Sequence, residues 1–372
     1  MPKVIVVGGG IAGLASGIAF SKAGWDVEVL ERARRIEPVG AALSLWPNAC
    51  DALSSLGIMN SVSVEAAPIR KLLLATQGGR PIFQRELPDT ALLITRSALQ
   101  IALLEAFGSE RLRLGCPVKG IAGGCVTLAS GDVLCCDLVV DAGGIRALSA
   151  AGPAAQYAGY GGVLALSEKV IGEDLKGLAA EYWGRNERFG VFELPEGRRY
   201  WFYMRTQPAD AVMPDLVTSM ASARQWPLSV RSAVAATPQN ALIPFAVYAK
   251  LPPKNLSAQV GIIQVGDAAH AMEPNLGQGA CQGLEDAAAL YAIAALVQPD
   301  RIAIEYERLR LRRVRTFVAE SARARLGAHG SGVAQFIMQS VLKVVPKVIS
   351  ERHLRAMHSM PDYTICAARS YR

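Results

Sequence analysis

The chain has 372 residues, 51% of them apolar and 19% charged, which supplies a sizeable core, allows two or three domains and excludes a disordered or low-complexity protein. Its 39 basic and 32 acidic side chains give a net charge of +7, compatible with an anionic cofactor or substrate. No basic stripe interleaved with aromatics accompanies that charge, so nucleic acid is not an expected partner. No apolar run is long enough to cross a bilayer, so no transmembrane segment is expected either.

Val4 to Val7 is a β-branched run that ends in Gly8-Gly9-Gly10-Ile11-Ala12-Gly13. Leu14 to Ala23 has helical spacing, and Asp26 to Leu30 reads as a second strand ending in Glu31. A lone GxGxxG is weak evidence, but here strand, helix and acid all fall where a dinucleotide-binding βαβ unit requires them. Gly8 permits the tight turn, Gly10 lets the backbone approach a pyrophosphate lying on the helix amides, and Gly13 lets helix and strand pack closely. Glu31 is placed to accept hydrogen bonds from a ribose diol, which favours FAD or NAD over NADP as the bound dinucleotide.

Pro38-Val39-Gly40-Ala41-Ala42 leads to a helix from Pro47 to Leu56, and Ile69 to Ala75 with Pro81 to Glu86 read as a strand pair turned by Gly78-Gly79. Ser97 is a candidate cap for the helix Ala98 to Phe107, with Arg96 at its entrance as a candidate phosphate ligand. Short strands follow at Leu112 to Leu114, Cys125 to Leu128, Val133 to Cys135 and Asp137 to Val140. From Gln156 to Tyr248 aromatic-rich strand segments dominate, with Pro195-Glu196-Gly197 as a hairpin turn. This predicts a mainly antiparallel sheet inserted in an α/β domain.

Val260 to Val265 reads as a buried strand that delivers Gly266-Asp267-Ala268-Ala269-His270, a Pro274-containing loop, and Gly277-Gln278-Gly279 at the opening of a helix carrying Glu285-Asp286. A strand, an acid at its carboxyl end and glycines opening a helix are the layout of a cofactor site. His270 is read as fixing this loop rather than as a catalytic group. Arg301 to Leu326 is a long helix whose basic run Arg308 to Arg315 reads as a solvated face. Residues 331 to 350 form an amphipathic element that either packs on the sheet domain or lies at a membrane surface. The cysteines, Cys50, Cys116, Cys125, Cys135, Cys136, Cys281 and Cys366, are odd in number, lack CxxC spacing and follow no secretory leader, so reduced thiols and a cytoplasmic setting are expected. Cys135-Cys136 is read as structural, and His329, His353 and His358 have no metal-ligand spacing, so no metal is expected.

Gly8 to Gly13 with Glu31, Arg96-Ser97-Ala98-Leu99, and Gly266 to Gly279 with Glu285-Asp286 together resemble class A FAD-dependent monooxygenases, the aromatic hydroxylases of the para-hydroxybenzoate hydroxylase fold. The segment Pro38 to Asn48 is similar to the branch containing urate-, salicylate- and 3-hydroxybenzoate-type hydroxylases and zeaxanthin epoxidase. The resemblance covers about residues 1 to 325. It implies an α/β fold in which a Rossmann-like FAD-binding domain (1–68, 92–155 and 254–326) carries an inserted, mainly antiparallel β-sheet substrate domain (69–91 and 156–253) and a C-terminal helical segment (327–372). It also implies FAD as cofactor, NADH or NADPH as transient reductant, and hydroxylation or epoxidation of a small aromatic or heteroaromatic substrate with O2 by way of a C4a-hydroperoxyflavin.

Carried over by position, the resemblance places Asp267 on the FAD ribitol, Arg96 by the ribitol or pyrophosphate, and Gly277, Gln278 and Gly279 at the flavin N1–C2 edge. Pro274 and Gly277 then line the reacting edge, with no general base assignable. Tyr182, Trp183, Trp201, Tyr203 and Arg205 are candidate substrate contacts from the inserted sheet. One motif departs from the family pattern. Where Gly-Ala-Asp-Gly-x-x-Ser and a later Arg are usual, the run is Asp141-Ala142-Gly143-Gly144-Ile145-Arg146-Ala147, with Ala150 and its neighbours leaving the basic position empty. That segment is linked in the family to NAD(P)H use. Two alternatives therefore stay open: non-hydroxylating chemistry (isomerase, cyclase, dehydrogenase) or impaired NAD(P)H use, and a non-enzymatic FAD- or partner-binding protein.

Overall fold

Val4 to Val7 lie in the centre of a six-stranded sheet, which explains their unbroken apolar character: a parallel strand is covered on both faces. The sheet runs Ser257–Gln259, Ile262–Gln264, Leu138–Asp141, Lys3–Val7, Asp26–Leu30, Leu112–Arg113. All its pairings are parallel except the first, which is antiparallel. The strand expected over Val260 to Val265 is therefore shorter than the apolar run, because Gly261, at φ +72°, turns the chain between two antiparallel neighbours. The computed structural model describes residues 1–36, 40–149, 152–171, 175–330 and 332–368, so Pro38, Val39 and Ala150 lie outside the described residues.

A second, eight-stranded sheet joins Ala67–Thr76, Pro81–Thr95 and Ala42–Leu45 to the strands between Gln156 and Ala249. It is antiparallel except where Leu178–Trp183 runs parallel to Ala67–Thr76. Strand alternation gives it two different faces. One carries Val163, Phe189, Val191, Trp201 and Tyr203 beneath the Leu228–Ala235 helix, as a separate core. The other carries Tyr160, Tyr200, Phe202 and Met204 into the main core shared with the first sheet.

A small third sheet, Val118–Ala122, Cys125–Leu128 and Val133–Cys135, pairs Cys125 directly with Cys135. These two residues form a disulfide, which corrects the expectation that all thiols are reduced; Cys50, Cys116, Cys136 and Cys281 remain thiols. The neighbouring Cys136 donates instead to backbone carbonyls of Gly124 and Leu138.

The expected solvated face of the long helix, Pro299–His329, is also corrected. Spacing of three places Arg310 and Arg313 on the inner side, and Arg310 is fully buried. Its guanidinium donates to Asp286 Oδ1 at 2.8 Å, to Glu285 Oε2 at 2.7 Å and to Gln282 Oε1 at 2.8 Å. Arg313 adds a bidentate grip on Glu285, at 2.7 and 2.9 Å. From the C-terminal segment, the Tyr363 hydroxyl reaches both Glu285 and Arg310, at 2.9 and 2.6 Å.

Burial opposes ionisation of Glu285, but Arg310 and Arg313 outweigh it and hold the carboxyl below the usual carboxylate range. Such a network gains little over an apolar packing, yet removing one member strands the others, at about 3–5 kcal/mol. Arg310→Met is accordingly expected to lower the unfolding free energy by about 3–5 kcal/mol in urea titrations. A loss below about 1 kcal/mol would show that the carboxylates do not depend on it.

Candidate active site

The first glycine turn does what its spacing predicts, with the three glycines in different roles. Gly8 has φ +111°, and a Cβ there would lie 2.5 Å from the Ala142 carbonyl oxygen. A Cβ on Gly13 would lie 1.9 Å from the Gly8 carbonyl oxygen, so helix and turn touch backbone to backbone. A Cβ on Gly10 would meet nothing within 4 Å, and no side chain caps the helix Ile11–Lys22 there. The first amides of that helix are left for an anion. Glu31 accepts from the Gly9 amide at 2.7 Å and the Ala33 amide at 2.8 Å, which fixes the carboxylate beside the turn.

The second turn is held from beneath. Asp286 accepts from the Gly266 amide at 2.8 Å and lies 2.7 Å from His270 Nε2. Burial opposes its ionisation, but His270 and Arg310 hold it well below the usual range. His270 is thus a buried loop anchor, in keeping with its sequence reading. Gly266 has φ +57° and its Cβ position lies 2.7 Å from Ala12 Cβ, so the two glycine turns are packed against each other. Asp267, by contrast, is exposed at the first position of the Asp267–His270 helix.

Beyond Pro274–Leu276, Gly277 is left-handed (φ +62°), with its Cβ position 2.9 Å from Trp46 Nε1. The helix Gly279–Ala294 opens with no side-chain cap and with open space at Gly279. Gln278 is not turned toward that opening. It is buried and bonded to Asn48 at 3.0 Å and Gln282 at 3.1 Å, so only its backbone is available to a ligand. Arg96 is exposed at the start of its helix, with its Cδ 2.9 Å from the Cβ position of Gly40. The cap of that helix is Thr95, whose hydroxyl accepts from the Ala98 amide at 3.2 Å, rather than the expected Ser97. Open amides at Gly10 and Gly279, a free-standing acid at Asp267 and a cation at Arg96 are the donor set a dinucleotide needs.

The altered loop is organised by Asp141, which is fully buried. It accepts from the Gly143 amide at 2.9 Å and the Ser149 amide at 2.8 Å. Asp141 therefore ties the loop to its own strand. A Cβ on Gly143 would lie 3.0 Å from Asp141 Oδ1.

The sheet residues expected to meet substrate are mostly on the wrong face. Tyr182, Trp201 and Tyr203 belong to the separate core under Leu228–Ala235 and are bonded there, to Ser229, Thr237 and Glu187 respectively. Arg205 shares their side and bonds Gln207 and the Val212 carbonyl. Trp183 alternates onto the other face, donates to Glu181 at 2.7 Å and would collide with a Cβ on Gly327.

Residues that the sequence reading did not single out stand on the face turned to the Pro274 loop. Tyr160 OH donates to Glu273 Oε2 at 3.0 Å, and Arg188 donates to Asn275 Oδ1 at 2.6 Å and Glu181 at 2.8 Å. Both thus touch the residues flanking Pro274, with Tyr200, Phe202 and Met204 on the same face. His329 stacks on Tyr160 at 4.3 Å; burial, reinforced by Arg188, pulls its pKa down to about 3 and keeps the ring neutral. Period-two alternation through Arg188 and through Tyr200-Trp201-Phe202-Tyr203-Met204 was the available signal, but these strands are buried on both faces and so show no polar side.

The family described as FAD binding domain matches residues 1–111 and 129–321. The chain is 31% identical over 364 residues to the aurachin C monooxygenase/isomerase of Stigmatella aurantiaca, covering 92% of this chain and 94% of that one. It is 30% identical over 379 residues to the 2-heptyl-3-hydroxy-4(1H)-quinolone synthase of Pseudomonas aeruginosa, with 94% and 96% covered. Its fold matches Klebsiella pneumoniae HpxO complexed with FAD and uric acid at a TM-score of 0.85 and 24% identity, over 98% of this chain and 97% of that one.

Trp46, beside Gly277, is covered by His358, whose ring stacks on it at 4.4 Å. Burial, with His353 and Arg313 adding repulsion, lowers the His358 pKa from 6.5 to about 4. A depressed folded pKa gives a contribution that is complete above pH 6.5 and lost as pH falls toward 4, on the order of 3 kcal/mol in all. His358→Phe keeps the stack without the titration. Melting temperatures of the two proteins should diverge between neutral and mildly acidic pH, the wild type falling more steeply; parallel curves would remove His358 from the acid response.

Proposed function

The chain belongs to the FAD binding domain family and is an FAD-dependent monooxygenase, and on that premise we propose that it places one oxygen atom of O2 on a small aromatic or heteroaromatic ring, with NADH or NADPH as reductant. The observation that carries this reading is the second turn: an exposed acid at Asp267, next to the Gly266 amide that the buried Asp286 holds, and an uncapped opening at Gly279 of the helix that carries Asp286. Bound FAD supplies the redox and oxygen chemistry. In this reading the Gly8–Gly13 amides and Arg96 hold the pyrophosphate, Glu31 the adenosine ribose, and Asp267 the ribitol. The amides from Gly277 to Gly279 lie at the N1–C2 edge, where a helix N-terminus favours negative charge by roughly 0.3–2 kcal/mol.

The ring to be hydroxylated is proposed to lie between Pro274 and the sheet face of Tyr200 and Phe202, with Arg188 and Asn275 as the polar contacts that orient it. The apolar residues of that face exclude water from the reacting edge. Relatives whose names specify alkylquinolone and urate chemistry support a heteroaromatic ring. The six-segment division into FAD-binding, substrate and C-terminal parts and a cytoplasmic setting belong to the same proposal. A second reading, rearranging rather than purely hydroxylating chemistry, is favoured by the altered Asp141–Ala147 loop and by a relative that is both monooxygenase and isomerase.

The purified protein should show flavin absorption and should oxidise NADH or NADPH faster when an accepted heteroaromatic is added. Yellow protein that neither nucleotide reduces with any candidate ring would shift the assignment to the second reading. Asp267→Ala should weaken FAD retention by roughly tenfold or more, the loss of one charged hydrogen bond; unchanged retention would remove Asp267 from the cofactor site. Gly143→Asp should alter the rate of nucleotide-driven flavin reduction, and an unaltered rate would show that this loop does not govern it.

A further inference from the structure

The C-terminal segment turns an unusual face outward. Val333, Phe336, Val344 and Val348 are 71–78% exposed, and Ile337, Val341 and Ile349 are more than half exposed. On the helix Gly332–Val344 the spacing of Val333, Phe336, Ile337, Val341 and Val344 is that of a single helical stripe. The opposite side is the one docked: Gln335 donates to the Gly184 carbonyl at 2.7 Å, and Arg85 reaches Val345 O and Ser350 Oγ at 3.3 and 3.1 Å. The stripe is therefore not a core face left loose, because the element already has a docked side.

The following helix, Lys347–His358, meets the first at 106°, with Pro346 at its start. It continues the surface with Val348 and Ile349 and then turns basic at Arg352 and Arg355, both exposed. Lys343 borders the stripe on the first helix. Across residues 332–358 the charged side chains are Lys343, Lys347, Arg352 and Arg355 against Glu351 alone, which lies 3.6 Å from Lys347 in an exposed pair and leaves a net charge of +3. Among the described residues no single helix is long and apolar enough to cross a membrane.

An apolar stripe edged by cations, on two short helices that meet at 106° and are docked along one side, has the composition of an interfacial anchor. We propose that this face seats the enzyme on an anionic lipid bilayer, the stripe entering the headgroup boundary and the four cations meeting lipid phosphates. Charge selects this occupant over a second copy of the chain. Two such faces pressed together would set these cations against each other with only Glu351 to offset them, whereas an anionic surface complements all four. The surface is independent of which ring the enzyme oxidises.

Full-length holoprotein should co-sediment with mixed phosphatidylcholine–phosphatidylglycerol vesicles and much less with phosphatidylcholine alone, the bound fraction falling as salt rises. Phe336→Ser/Val344→Ser should reduce binding by roughly tenfold while the flavin spectrum and melting temperature stay unchanged. Lys343→Gln/Lys347→Gln should reduce it mainly on the anionic vesicles. Absence of binding to either vesicle would overturn the proposal. So would equal binding by the wild type and both variants, or a wild-type dimer in light scattering that Phe336→Ser/Val344→Ser converts to monomer without vesicle binding.

Discussion

One buried ionic arrangement holds together parts of the chain that are far apart in sequence. Asp286 and Glu285 sit side by side on the first turns of a buried helix, where two adjacent carboxylates would not both ionise unaided. Arg310 lies between them and, with His270 beside Asp286 and Arg313 on Glu285, holds both anionic, while Asp286 accepts from the Gly266 amide and pairs with His270. The shape of the flavin turn therefore depends on a charge delivered by a different helix. The network is more than a stabilising contact, since it fixes the Gly266 amide immediately before Asp267 and stands on the helix that Gly279 opens.

The legible parts of the sequence were those in which backbone needs dominate. Gly8, Gly13 and Gly266 are required by close approach or positive φ, and such requirements leave no other residue type to choose from. Glu285-Asp286 was visible beside the glycine loop, but its partner was not. Arg310 lies in a run of arginines whose other members are mostly exposed, and the burial of one of them is a property of the packed helix. The disulfide was hidden for a related reason: Cys125 and Cys135 become neighbours only through the register of two short strands.

The inserted sheet was the least legible. Its strands were identified from their aromatic and β-branched content, but content does not assign faces when both are buried. Large aromatics gather on the far face because a second core forms there against two short helices, so size alone pointed to the side away from the Pro274 loop. The side that meets Glu273, Pro274 and Asn275 carries Arg188 and Tyr160, which donate to Asn275 and Glu273 of that loop, while Arg188 Nε is buried without a partner. The chemistry of the pocket is thus set by hydrogen bonds across two sheets, which no local window of sequence contains.

The reach of Tyr363 into the Arg310–Glu285 pair carries an implication for synthesis. The first strand, Lys3–Val7, pairs with Leu138–Asp141, and that strand pairs in turn with Ile262–Gln264. The glycine turn at the N-terminus is thus among the first residues made and among the last to acquire its full surroundings. While the chain emerges from a ribosome, the early βαβ unit exposes a phosphate-binding turn whose second half does not yet exist. Completion waits until residue 363 is free to fold back on the network. The Arg310–Glu285 pair that braces the second glycine turn has its full set of partners only once Tyr363, 53 and 78 residues further along the chain, is in place.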